Sequence, residues 1–357
     1  MKIDYSKKGV VETITGNQNS RLSSFDTPTD SYPLYVSAPS KYMKFYPSDY
    51  STYWIKKGTY IQDKINEAKI LFDAGYKPII FVGDGIYQED LVIQDMDLEL
   101  VFFPTYLVNV NTFPYGSFYA TQAWYGNNLD GNISIINSTA NDYKVSISNA
   151  MLWASSDLET SEISISSLTG SVDVFLNVKV FGTSIDSNAP NIFCTGTVDL
   201  NIHDSFFLVF ESIDMAGPNT NLRMKNSMYW SYVTNKRIQV SGVSSSLDID
   251  NCLVRCDSAT SPPIYINNDQ THTITNSQLI IKKGTGGTIL QFDPTSSGTV
   301  KLFDCYCHNT SMGSTAATAA IKGGAGATVE YASCAFYNGT HTKQAAVTAT
   351  KLSSSIV

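Results

Sequence analysis

One short unit recurs along the second half of the chain: apolar, any, apolar, any, Asn or Asp, Ser or Cys, then two mostly apolar residues. It reads LNIHDSFF from Leu200, LRMKNSMY from Leu222, LDIDNCLV from Leu247, HTITNSQL from His272, VKLFDCYC from Val300 and VEYASCAF from Val329. An earlier copy starts at Val145 (VSISNAML), and a shorter one runs from Ile133 to Ser138 (ISIINS). The Asn/Asp/Ser position falls at 204, 226, 251, 276, 304 and 333, one unit every 22–29 residues. A period of that size implies stacked units, none of which buries its apolar face alone. Alternation within each unit says strand rather than helix. The clusters between units, such as Asn188-Ala189-Pro190-Asn191 and Gly284-Thr285-Gly286-Gly287, are turns.

One coil per unit is a right-handed, single-stranded parallel β-helix; the Leu spacing and helical second half of a leucine-rich repeat are absent. In that fold the Asn/Asp position ends a strand at a bend, where its side chain bonds nearby backbone and tolerates a left-handed conformation. The next position, Ser205, Ser227, Cys252, Ser277, Cys305 and Cys334, reads as a column of small core fillers. The alternative for its last two members is a Cys305–Cys334 contact close enough for a disulfide. Two outward columns follow: Asn201, Arg223, Asp248, Thr273, Lys301, Glu330, and His203, Lys225, Asp250, Thr275, Phe303, Ala332. Arg223 with Asp248 and Lys225 with Asp250 are expected as cross-rung ion pairs.

Composition narrows the function. Charged residues make up 16% of the 357, below the roughly 25% of an ordinary globular domain, and the net charge is −8. An acidic chain with few arginines is a poor partner for nucleic acid. No apolar run is long enough to insert in a membrane. Met1 to Val11 holds no apolar segment like that of a signal peptide, so folding in a cytosol is expected. Cysteines at 194, 252, 256, 305, 307 and 334 show no zinc spacing. No metal and no cofactor is expected.

The first half supplies an entry. Residues 59–74 (TYIQDKINEAKILFDA) set Ile61, Ile65, Ala68 and Phe72 at helical spacing, followed by a buried strand at Ile79 to Val82. Ile61-Gln62, Ile65, Ala68, Ile79 to Val82, Gly85, Tyr87 and Glu89, and then Ala120-Thr121 and Gly126 to Ala140, resemble the entry of pectate-lyase-like and pectin-esterase-like β-helices. The resemblance implies that the helix caps the open end of the coil. It does not carry an activity: the esterase Gln-Asp pair and Asp-Phe-Ile-Phe-Gly segment are missing. Of the polygalacturonase motifs only Arg223-Met224-Lys225 matches.

The Ser/Thr/Asn-rich rungs, low charge and missing leader also resemble bacteriophage tailspike and virion β-helix proteins. That resemblance implies a homotrimer in a virion, assembled in the host cytoplasm. Residues 1–57 would be an irregular segment attaching to other virion proteins, residues 58–340 the β-helix, and 341–357 a tail. A host surface polysaccharide is the expected ligand, and the alternative is a polysaccharide depolymerase, hydrolase or lyase, on the same fold. His203, Lys225, Asp248 and Asp250 are the candidate acid/base residues. Trp124, Tyr125, Tyr229, Trp230 and Tyr232 are candidate glycan or subunit contacts. The acidic run Asp84, Glu89, Asp90, Asp95, Asp97 and Glu99 reads as solvated turns.

Overall fold

The computed structural model describes residues 31–36, 60–82, 85–87, 89–102, 106–109, 122–125, 127–153, 162–181, 191–209, 212–231, 237–257, 262–281, 288–309, 321–324, 326–337 and 347–352. Helix α1, Tyr60–Asp73, takes up the expected entry position. Its apolar face, Ile61, Ile65 and Ala68, is buried in the core that also contains Ile80, Leu91 and Leu98. Glu89 starts it, accepting the N–H groups of Ile61 (3.1 Å) and Gln62 (2.9 Å). Those donors have no partner within the helix, and the carboxylate favours the positive end of the dipole. Gly75, at φ 92°, ends it while the Tyr76 N–H closes back on Leu71 O.

Beyond the helix the chain coils, and its strands stack in three parallel ladders. The first ladder runs from Lys77–Val82 through Leu98–Phe102 and the early part of Tyr143–Trp153 to Asn219–Lys225, Leu247–Asp250, Thr271–Thr275, Thr299–Phe303 and Thr328–Ala332. The second takes up the chain after each bend, as in Phe206–Val209, Met228–Ser231, Leu253–Cys256, Gln278–Ile281 and Tyr306–Asn309. The third includes Leu91–Gln94, Ile133–Asn137, Ile213–Met215, Ile238–Val240, Ile264–Ile266 and Leu290–Phe292. Alternate side chains from all three fill one continuous core. Each fully buried aliphatic contributes about 1.5–3 kcal/mol, so stability accumulates along the coil rather than about a centre.

The bends are as expected. Asn149, Asp204, Asn226, Asn251, Asn276, Asp304 and Ser333 all hold φ between 49° and 61°, a region where Asn and Asp carry the smallest penalty. Both outward columns pair rung to rung in the expected register.

The Ser/Cys column does more than fill space. The Ser205 N–H donates to Ser227 Oγ (3.0 Å), Ser227 N–H to Cys252 Sγ (3.4 Å) and Cys252 N–H to Ser277 Oγ (3.0 Å). Each of these side chains donates in turn to the carbonyl two residues back, as Ser227 does to Lys225 O (2.7 Å) and Ser277 to Thr275 O (2.6 Å). The bend leaves one buried N–H per rung without a ladder partner, and a small residue carrying O or S satisfies it.

Strands also lie inside both terminal stretches. Ser31–Val36 adds parallel to Lys77–Val82 at the edge of the first ladder, where Pro33 is tolerated. Thr348–Lys351 pairs with Thr328–Ala332, so the ladder continues past residue 340. Only Val347 is buried there, which is why alternation does not reveal this rung.

Candidate functional site

The first ladder's outward face carries a charged cleft of about 430 Å³, lined by Lys77, Asp97, Asp142, Lys144, Asp173 and Asp199 with Tyr143 and Ser171. Register builds it. Lys144 stands beside Asp173, Asp173 beside Asp199, and Asp199 beside Asn221. Facing positions on neighbouring strands lie about 4.8 Å apart, so two carboxylates share one site.

Neighbours orient both. Asn201 Nδ2 donates to Asp173 Oδ1 (2.8 Å), and Asn221 Nδ2 to Asp199 Oδ1 (2.9 Å). Burial and then the Asp199 charge raise the Asp173 carboxyl above the usual range, against the pull of Lys144, Arg223 and Asn201. At the rim, Asp142 accepts Ser171 N–H (2.9 Å) and Oγ–H (2.7 Å), which hold its carboxyl low. Asp97 accepts the Lys144 N–H at 2.8 Å. The cleft thus sets a carboxyl whose affinity for its proton is raised beside a second carboxyl, with Lys77 and Lys144 at hand. That is the equipment of general acid–base chemistry.

The residues singled out in the sequence lie farther along the same ladder. His203 neighbours Lys225, and Lys225 neighbours Asp250, at 3.6 Å between Nζ and Oδ2. Asp250 also accepts Asn276 Nδ2 (3.0 Å) and Thr275 Oγ1 (2.8 Å), and these bonds hold its carboxyl below the usual range. So bonded, it stays ionised and holds rungs together. Asp248 is exposed and in register with Arg223, whose guanidinium reaches Asn201 Oδ1 at 3.5 Å.

Two sequence readings need correction. Tyr229 is fully buried, not a surface contact: it falls on the inward parity of the second ladder, between Phe207 and Val254. Trp230 points outward instead, under the Arg255 guanidinium at 4.0 Å from its ring. The acidic run is only in part a set of solvated turns: Asp90 is exposed, whereas Glu89 and Glu99 are buried. Besides Glu89 at the helix, Asp90 accepts the Asn132 N–H (2.9 Å) and Asp95 the Ser138 N–H (2.6 Å). Glu99 is 5% exposed, its Oε1 has no hydrogen-bond partner, and burial pushes its carboxyl up to about 7. Trp124 and Tyr125 belong to Gln122–Tyr125, which pairs antiparallel with Tyr106–Asn109. Asp84 and Tyr232 lie outside the described residues.

Sequence reasoning missed the cleft because the repeat fades between 150 and 200. There one strand, Ile163–Phe181, runs through all three ladders without a left-handed bend, and the register shifts between Ser166 and Ser171. The available signal was the short alternation Val172-Asp173-Val174 and Val198-Asp199-Leu200, aspartates outward between buried aliphatics.

Fold and cleft together define an all-β parallel solenoid with an acid-rich, lysine-edged groove on one ladder. The sequence matches no family model and no curated protein. Among solved structures, the chain is similar to the A-module of the mannuronan C-5 epimerase AlgE4 from Azotobacter vinelandii. That alignment has 13% identity and a TM-score of 0.28, and covers 82% of this chain and 96% of that one. The fold assignment rests on the chain's own strand register.

Proposed function

We propose that the chain cleaves a polysaccharide laid along the first ladder, with Asp173 as proton donor and Asp199 as its partner carboxylate. The observation that carries this reading is the Asp173–Asp199 pair, in register on adjacent strands and opening into one cleft. Glycosidic cleavage needs one carboxyl that keeps its proton to protonate the leaving oxygen and one that is ionised. Burial and the adjacent charge raise Asp173 in the direction of the first. A flat run of like rungs suits an extended polymer.

The test is incubation with capsular or cell-wall polysaccharide and assay of new reducing ends. Release should fall about 10²–10⁴-fold in Asp173→Asn while polymer binding persists. It should also decline as pH rises and Asp173 loses its proton. Absence of release by the parent protein across a polysaccharide panel would end this reading.

A second reading, attachment without cleavage by a virion homotrimer, is favoured by a different face. The outward side chains of the second ladder include Leu208, Met228, Trp230, Leu253, Ile280 and Tyr306, apolar positions on successive rungs interrupted by Arg255 and Gln278. Surfaces of that kind suit protein contacts. Light scattering tests it: a trimer that Ile280→Glu breaks into monomers supports the reading, and a monomeric parent removes it.

A further inference from the structure

The Ser/Cys column ends in two cysteines with no hydroxyl between them. Ser277 separates Cys252 from Cys305, but Cys305 and Cys334 are consecutive occupants. The flanking residues pair in register on both sides, Phe303 with Ala332 and Tyr306 with Ala335. The Ala335 N–H closes on Cys305 O at 3.0 Å. A strand spacing of about 4.8 Å lies inside the Cα separation that a disulfide spans. Both thiols donate to backbone two residues back, Cys305 to Phe303 O and Cys334 to Ala332 O (3.2 Å each), and all six cysteines are free.

We propose that Cys305 and Cys334 form an oxidative modification site, closed to a disulfide by a small-molecule disulfide such as oxidised glutathione. Access and reactivity divide the roles. Cys334 is half-buried, whereas Cys305 and Cys307 are 2% and 1% exposed. The neighbouring Cys305 side chain lowers the Cys334 thiol, whereas Cys334 and burial raise Cys305. Cys334 thiolate therefore attacks first. It forms a mixed disulfide and releases one glutathione thiolate. The Cys305 thiol, giving up its proton, then attacks Cys334 Sγ and expels the second glutathione. Two protein thiols are oxidised and one glutathione disulfide is reduced to two thiols. The product ties two consecutive rungs across the connection between them, near the last strand of the first ladder.

The experiment treats the full chain with oxidised glutathione near pH 8, quenches with acid, alkylates and maps peptides by mass. The parent should lose two of its six thiols and yield a Cys305–Cys334 linked peptide. Cys305→Ser should stop at glutathione held on Cys334, and Cys334→Ser should leave position 305 unmodified. Serine already fills this column at 205, 227 and 277, so both variants keep its hydrogen bonding and their folding can be checked by circular dichroism. Glutathione retained on Cys334 in the parent, a Cys307–Cys334 link, or no thiol loss would each overturn the proposal.

Discussion

A serine in the bend column has two bonds to keep, the accepted one buried and the donated one partly so. Ser277 Oγ takes the Cys252 N–H and donates to Thr275 O. Ser277→Ala should cost about 1–3 kcal/mol by stranding that N–H, read as a lower urea midpoint, while Ser277→Cys should cost much less because cysteine already serves at 252. Equal losses for Ala and Cys would mean that the position only fills volume. Two buried titratable groups pull in opposite directions. Burial holds His272 neutral, its value lowered to about 4, with Nδ1 accepting the Leu247 N–H (3.1 Å) and Nε2 facing Asn268 Oδ1 (2.9 Å). Its contribution is present above the unfolded value near 6.5 and is lost as pH falls toward 4. Glu99, raised to about 7 from 4.5, contributes below its unfolded value and loses that contribution as pH rises through 7. Replacing it separates the two slopes. The stability of Glu99→Gln relative to the parent should increase from pH 4.5 to 7, by at most about 1.4 kcal/mol per pH unit. A flat difference in paired denaturation curves would contradict this assignment.

At the scale of elements, entry and corners are set by side chains that the repeat does not contain. Helix α1 relies on Glu89, which sits in sequence after the strand following the helix, so its capping role is a long-range contact. Glu89→Ala should lower stability by about 1–2 kcal/mol, with Glu89→Gln in between. No change in helix signal or urea midpoint for either would remove the cap. Gly196 turns the corner that leads to Asp199. It holds φ 86°, and a Cβ there would lie 1.8 Å from Ser167 O. Gly196→Ala should therefore cost more than about 2 kcal/mol and displace Asp199, so that cleavage and stability fall together. The helix and the Asn/Asp bends were legible because their signals are local. The cap and this corner were not, since each depends on a contact with a distant part of the chain.

The whole molecule behaves as a stack whose two described ends differ. Helix α1 covers the core at one end, whereas at the other Thr348–Lys351 pairs on one side only and its residues are largely exposed. In a stack held by neighbour contacts, opening starts where a unit lacks a neighbour. Amide exchange should thus be slowest in Leu200 to Ile249 and rise toward Thr348–Lys351. Uniform protection along the coil would indicate all-or-none unfolding instead. The two candidate surfaces also belong to this scale. The cleft gathers residues from Lys77 to Asp199 and the second ladder's outward apolar positions span Leu208 to Tyr306, so neither exists within a single rung.

By itself the amino-acid sequence determined the coil, the left-handed bends and the order of residues within the later columns. Each of those follows from steric preferences and alternation acting over a few residues. Only the tertiary structure decided which outward residues meet in the cleft, that Tyr229 turns inward and that Glu99 is enclosed. A strand's register fixes which residues face one another and to which side they point. Between Ser166 and Ser171 that register is shifted by an irregularity that no local preference in the chain announces.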